Sequence, residues 1–283
     1  MEMVKRAIGR ARSQREGGPP PAGGTPPPGV GPLGPAPLRL RRSDAMEAAW
    51  DALPMLELDA RRLRRNRVVT LEKRDPAHMA YDMLRTKVLH TLKSDGMRMV
   101  AMTSCDPHCG KTLTTLNLAF SFARQPNWRT LVLDLDLRRP RLRRLLGAPR
   151  GVCVSELLAG RAAPGEVLRR AGETLAFAFA SGPVGGSSEL LQDERAGEAL
   201  ASLVSAYGPD LILVDLPPLM ASDDASAFLG RADGAFLVAA AGQTKVTDID
   251  EGCRQIGRLT RDLGVVLNKI ELMPKRYYDY AYR

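Results

Sequence analysis

The chain has no apolar run approaching the roughly 20 residues that a membrane-spanning helix needs, and its first residues lack the apolar core of a secretory signal. These absences predict a cytoplasmic protein. Cysteine is scarce, with four residues in 283 and no C-x-x-C pair. That usage suits a reducing compartment and excludes a disulfide-built scaffold. The three histidines lack metal-ligand spacing, so no zinc centre is expected. Aromatic residues make up only 5% of the chain, and none interleaves with the arginines of residues 61–67 (RRLRRNR). Without rings on which bases can stack, specific nucleic-acid binding is not expected.

Positive charge is in excess, and it is unevenly spread. The formal net charge is +9, and residues 1–74 hold fifteen Lys or Arg against eight Asp or Glu, or +7 of that total. Within this part, residues 17–37 (GGPPPAGGTPPPGVGPLGPAP) are almost wholly Pro and Gly, which cannot bury a core. Residues 1–74 are therefore expected to be a basic, largely disordered arm. Residues 61–67 could meet an anionic membrane surface, where each basic residue is worth about 1 kcal/mol, or form a solvated face beside a short helix. Asp75 and Pro76 then offer an N-cap and a first-turn proline to a helix running to about Lys93, with Met79, Met83, Val88 and Leu92 as its apolar stripe.

Three segments of the remaining chain carry chemistry. Residues 131–140 (LVLDLDLRRP) read as an apolar strand that ends by presenting Asp134 and Asp136 on one side, since side chains alternate along a strand. Paired acids at the carboxyl end of a parallel strand can hold hydrated Mg²⁺ or take a proton from an attacking hydroxyl. Upstream, residues 98–103 (RMVAMT) form a strand, 104–110 a turn, and 111 onward a helix with Leu113, Leu116, Phe120 and Ala123 on helical spacing. This strand, loop and helix fit the context of a phosphate-binding loop. Against G-x4-G-K-[ST], Gly110, Lys111 and Thr112 match and the opening glycine is Cys105. Backbone N–H groups at such a helix start cradle phosphate, the lysine reaches the β and γ oxygens, and the hydroxyl ligates Mg²⁺. Downstream, residues 210–218 (DLILVDLPP) read as a buried strand ending in Asp215 and halted by two prolines. Further strands are expected near 175–180, 234–239 and 264–268, giving an α/β domain at 75–276.

These segments, in this order, resemble Walker A, Walker A′ and Walker B of the bacterial tyrosine kinases (BY-kinases) that regulate capsular and exopolysaccharide synthesis. Residues 151–160 (GVCVSELLAG) and 179–191 (FASGPVGGSSELL), the Asp224–Ala225 pair, and the stretches ADGAFLVAAAGQT, LGVVLNKI and YYDYAYR are also similar to family segments. The resemblance covers about residues 75–283. It implies a P-loop NTPase-type, mostly parallel sheet with helices on both faces, and an ATP-dependent tyrosine autokinase. Cys105, Asp106, Pro107, His108, Cys109, Gly110, Lys111, Thr112 and Thr114 would then hold ATP. Thr112, Asp136 and Asp215 would hold Mg²⁺, and Asp134 would accept the tyrosine proton, with Lys111 and Asp136 sharing the catalytic work. Tyr277, Tyr278, Tyr280 and Tyr282 in the tail, residues 277–283, would be phosphorylated in trans by a neighbouring copy. A separate transmembrane polysaccharide co-polymerase would be the activator, recruiting the protein to the inner face of the membrane.

The chain also departs from the family. His108 stands where the loop has glycine, and its Cβ predicts strain or a residue at positive φ. The family's Glu-x-x-Arg-x-x-Arg oligomerisation motif falls on Met79, Asp82 and Arg85, so only its last arginine matches. Cys105 and Cys109 flank a helix start, a place that lowers a thiol pKa, although small side chains filling a tight turn explain both. Two other functions stay open. A catalytically weak nucleotide-binding adaptor of the export machinery would be marked by His108. A ParA/MinD-type ATPase would need a signature lysine where Asp106 stands.

Overall fold

The computed structural model describes residues 42–70 and 77–270. Runs of Val, Leu, Ile and Ala that are apolar on both faces must be covered on both sides, and such runs make the centre of one seven-stranded sheet. Its strands are β1 (Met99–Ser104), β2 (Thr130–Asp134), β3 (Leu168–Ala171), β4 (Leu175–Ala178), β5 (Leu211–Asp215), β6 (Gly234–Ala240) and β7 (Arg261–Asn268). They lie in the order β3-β4-β2-β5-β1-β6-β7. Every pairing is parallel except β3 with β4. All six expected strands are present. The seventh, β3, reads LRRA, and two arginines in four residues hide it from any apolar pattern.

Alternation along the strands divides the interior into two cores. Met99, Ala101, Leu133, Val214 and Leu237 face one side; Val100, Met102, Val132, Leu213 and Val238 face the other. The first face is covered by Leu200 and Leu203 of the helix Glu194–Tyr207 and by Phe228 of the helix Asp224–Leu229. The second is covered by Leu116 and Phe120 of the helix Lys111–Phe122 and by Val88 and Leu92 of the helix His78–Asp95. In that last helix Met83 stays 45% exposed, so the expected stripe is only half used. The expected cap, Asp75 and Pro76, lies outside the described residues. Asp82 accepts from Ser121 Oγ at 2.6 Å and pairs with Arg124 within the chain.

Residues 42–70 correct the expected arm. They contain two capped helices, α1 (Asp44–Asp51), where Ser43 accepts from the Met46 N–H, and α2 (Ala60–Arg65), where Asp59 accepts from the Arg61 N–H. Trp50 is 1% exposed, donates Nε1 to the Glu173 carbonyl at 2.7 Å, meets Tyr207 edge-on and lies under Arg129 at 4.7 Å. Leu53 is buried in the same core, and Leu56, Leu63 and Val68 in the core on the other face. The Leu56 N–H donates to the Arg170 carbonyl and the Arg170 N–H to the Pro54 carbonyl, so this segment lies along the free side of β3. The Pro/Gly composition of residues 17–37 dominates any average over the first 74 residues and conceals the apolar anchors that follow.

Candidate active site

The first element of the site is the turn between β1 and the helix Lys111–Phe122. Ser104 Oγ donates to the Asp106 carbonyl at 2.7 Å, and the chain then passes through two positive-φ residues, His108 (φ 66) and Gly110 (φ 91). The left-handed conformation expected of His108 is present. Its ring nitrogen Nδ1 lies 3.4 Å from Arg141 Nη2. Gly110 is required twice over. Besides its φ, a Cβ there would sit 2.2 Å from Asn268 Nδ2, which donates to the Cys109 carbonyl at 2.9 Å. Asn268 thus pins the loop from the end of β7. The helix has no side-chain cap at Gly110, which leaves its first N–H groups to an anion.

The second element is a set of acids at the carboxyl ends of adjacent strands. Asp134 of β2 and Asp215 of β5 are direct register partners, and Asp136 follows two residues beyond Asp134. Lys111 reaches into them, with Nζ 2.7 Å from Asp136 Oδ2 and 3.7 Å from Asp215 Oδ1. Burial lowers the ammonium pKa, but the charges of Asp215 and Asp136 outweigh it and the net shift is upward. Burial holds the Asp134 carboxyl well above the ordinary range, reinforced by the charge of Asp215 and opposed by Lys111. Asp215 is raised too, again chiefly by burial.

Hydrogen bonding in this cluster is incomplete. Asp134 Oδ2 accepts from the Leu142 N–H at 3.3 Å and Asp136 Oδ1 from the Arg139 N–H at 3.0 Å. Asp134 Oδ1 and both Asp215 oxygens are buried without a hydrogen-bond partner. Buried carboxylate oxygens left in this way are suited to a cation. Among the described residues no group of three or more His, Cys, Asp or Glu has metal-holding spacing. A hydroxyl-and-carboxylate Mg²⁺ site completed by water and phosphate does not need one.

Lys111, Asp134, Asp136 and Asp215 are brought together, with Thr112 at the same helix start. Thr114 is fully buried and its hydroxyl has no partner. Cys105 fits the reading of a small side chain filling a tight turn. Burial pushes its thiol up to about 12, and Sγ contacts the Asp248 carbonyl at 3.2 Å. The thiol is a packed filler of a tight turn and not a reactive group. Tyr277, Tyr278, Tyr280 and Tyr282 lie outside the described residues.

Sequence reasoning missed two supports. One is Asn268. The other is Arg138, two residues past Asp136, whose guanidinium grips the fully buried Asp224 through Nε at 3.1 and 3.0 Å and Nη2 at 2.8 Å. Ser187 Oγ holds the same carboxylate at 2.7 Å. The only available signals were the Asp224–Ala225 match and the serines of GGSSELL.

No family model matches the chain. It is 33% identical over 216 residues to the tyrosine-protein kinase Wzc of Salmonella typhimurium, covering 74% of this chain and 29% of that protein. It is 30% identical over 202 residues to the tyrosine-protein kinase CpsD of Streptococcus pneumoniae, covering 70% of this chain and 86% of that one. Among solved structures, the BceF tyrosine kinase domain superposes with a TM-score of 0.62 at 26% identity, over 80% of this chain and 97% of that domain. With this much of CpsD matched, and with the lysine and three acids gathered at the strand ends, the chain belongs to the bacterial tyrosine-protein kinases.

Proposed function

We propose that the protein is an ATP-dependent tyrosine autokinase regulating exopolysaccharide assembly and export. The observation that supports it most is the position of Lys111, at the uncapped helix start and 2.7 Å from Asp136, two residues beyond the end of β2. Phosphates entering the turn would meet the 105–111 backbone and draw Lys111 toward their oxygens, with Thr112 and Thr114 on the same helix. Thr112, Asp136 and Asp215 would hold Mg²⁺, which supplies neutralisation of the charge on the transferring phosphoryl group. The Asp215 oxygens, which accept no hydrogen bond and meet only the Lys111 charge at 3.7 Å, fit that role.

Asp134 suits a base, because burial raises its pKa above the ordinary carboxylate range and Oδ1 has no donor to occupy it. The proton of an incoming tyrosine hydroxyl would pass to Asp134 as the phenolic oxygen bonds to the γ-phosphorus. The bond from γ-phosphorus to the bridging oxygen breaks and ADP leaves. Positioning and charge neutralisation carry most of such a rate. Tyr277, Tyr278, Tyr280 and Tyr282 of a second copy would be the acceptors. The activator would be a transmembrane polysaccharide co-polymerase, holding the protein at the inner face of the membrane; among the described residues no helix is long and apolar enough to cross one.

The test is purified protein with labelled ATP and Mg²⁺, with and without the activator's cytoplasmic tail, read by phosphotyrosine mapping. Phosphate on the four tail tyrosines is expected, and Lys111→Met should abolish it. His108 at φ 66 favours a second reading, a nucleotide-binding adaptor. Bound ATP with no phosphotyrosine under any of these conditions would select it.

A further inference from the structure

Several arginines of this protein are answered by carboxylates, Arg42 by Asp210, Arg129 by Glu47 and Arg170 by Asp51. One cleft gathers four that are not. Arg62 of α2 meets Arg143 and Arg144 of the helix Leu142–Leu146 and Arg150 beyond it around an open cleft of about 450 Å³, whose lining includes Pro140 and Ser181. No acidic side chain lines it, and none of the four arginines forms an ion pair among the described residues.

The cleft is built. The Arg143 guanidinium lies 5.6 Å over the Phe179 ring, donates Nη1 to the Pro149 carbonyl at 2.7 Å, and keeps Nε buried without a partner. Arg62 Nη1 donates to the Arg144 carbonyl at 3.3 Å, and its stem crosses Gly147, where a Cβ would come within 2.7 Å of Nε. Burial lowers the Arg143 pKa, joined by the positive charges of Arg169 and Arg150 and opposed by Cys153 and Asp134. Such an arrangement lacks an anion. Clustered guanidinium forks recognise phosphate above other anions, through paired charge-assisted hydrogen bonds.

The cleft lies beside the chemistry. Pro140 and Arg143 flank Leu142, whose N–H holds Asp134 Oδ2 at 3.3 Å. We propose that it is a phosphotyrosine subsite, seating an already phosphorylated tyrosine from the tail of a second copy while another tyrosine of that tail reaches Asp134. This rests on the autokinase reading. Residues 275–283 (KRYYDYAYR) carry three basic residues against one acid, so the unmodified segment is repelled by four arginines. Each phosphate adds nearly two negative charges, and two of them reverse the sign. Tyr278, Tyr280 and Tyr282 alternate, which in extended chain sets neighbouring hydroxyl groups about 7 Å apart along the backbone. The first transfer is then slow and later ones fast, so fully modified tails accumulate at the expense of singly modified ones.

Fluorescence anisotropy on the full chain tests this with synthetic peptides, so that no catalysis is needed. The probes are residues 271–283 unmodified and the same peptide phosphorylated at Tyr280, with inorganic phosphate as competitor. The phosphopeptide should bind at least about ten-fold tighter, and Arg144→Gln with Arg150→Gln, both exposed positions, should erase the preference while leaving the melting temperature and ATP binding unchanged. Equal binding of the two peptides overturns the proposal, as does a preference that survives the double substitution. Displacement by inorganic phosphate at concentrations equal to the phosphopeptide would make it a free-phosphate site and also overturn it. Loss of labelled-ATP transfer with the peptide preference intact would count against the autokinase reading alone.

Discussion

Burial holds the Asp134 carboxyl in a state that costs stability. Its folded pKa is raised above the unfolded value of 3.8, so its favourable contribution is complete below about pH 3.8 and is lost as pH rises through the folded pKa. Asp134→Asn should therefore unfold at nearly the same temperature as the parent near pH 4 and at a higher one at pH 8, with a gain on the order of 1–3 kcal/mol. Calorimetry across that range, without nucleotide, checks it; a variant equal to or below the parent at pH 8 contradicts the assignment. Phosphotransfer should be lost in the same variant. His108 carries a different cost, a left-handed backbone with a Cβ, worth about 1–2 kcal/mol. His108→Gly should raise stability by about that much and raise ATP affinity or turnover, measured by nucleotide titration and labelled transfer. If both fall or stay level, the loop is adapted to histidine. The positive φ was legible because the motif calls for glycine at that place. Asn268 was not, because its bond to the Cys109 carbonyl joins residues 159 positions apart.

At the scale of elements, legibility followed patterning. β2 and β5 are apolar on both faces and end in acids, and that signature is local. β3 is short and half arginine, and it exists because β4 offers it an antiparallel partner; nothing in LRRA announces a strand. The helix α1 was hidden in another way, since its single Trp50 sits in a segment whose charge and proline content spoke for disorder. Trp50→Ala removes a ring 1% exposed, packed between Tyr207 and Arg129, together with its hydrogen bond to the Glu173 carbonyl. The loss should be about 3–5 kcal/mol, read by denaturant unfolding. A change below about 1 kcal/mol would mean that α1 contributes no core. At the candidate site the elements explain the geometry: parallel strands side by side put Asp134 against Asp215, and the helix start puts Lys111 against Asp136 and Asp215.

For the whole molecule, the fold class and the nucleotide end of the sheet were legible, because a P-loop, two acid-ended strands and their order require a parallel sheet. The extent of the folded body was not, because it depends on contacts between residues 42–70 and elements more than a hundred positions away. Removing residues 1–60 takes away Trp50, Leu53 and Leu56 along with the backbone contacts that line β3. The truncated protein should melt at a lower temperature and scatter light on warming, as a newly bared strand finds partners. An unchanged melting temperature with no scattering would restore the view of those residues as a removable arm. The same segment bears on how copies can meet. It blocks the β3 side of the sheet, whereas β7, with Val265 and Leu267 43% and 44% exposed, has β6 as its only strand partner among the described residues. Among the described residues the sheet is stoppered on one side and open on the other, and such a sheet can add a strand once. Two copies joined back to back through β7 turn only their stoppered sides outward, so edge-to-edge growth ends at a pair and never lengthens into a fibre.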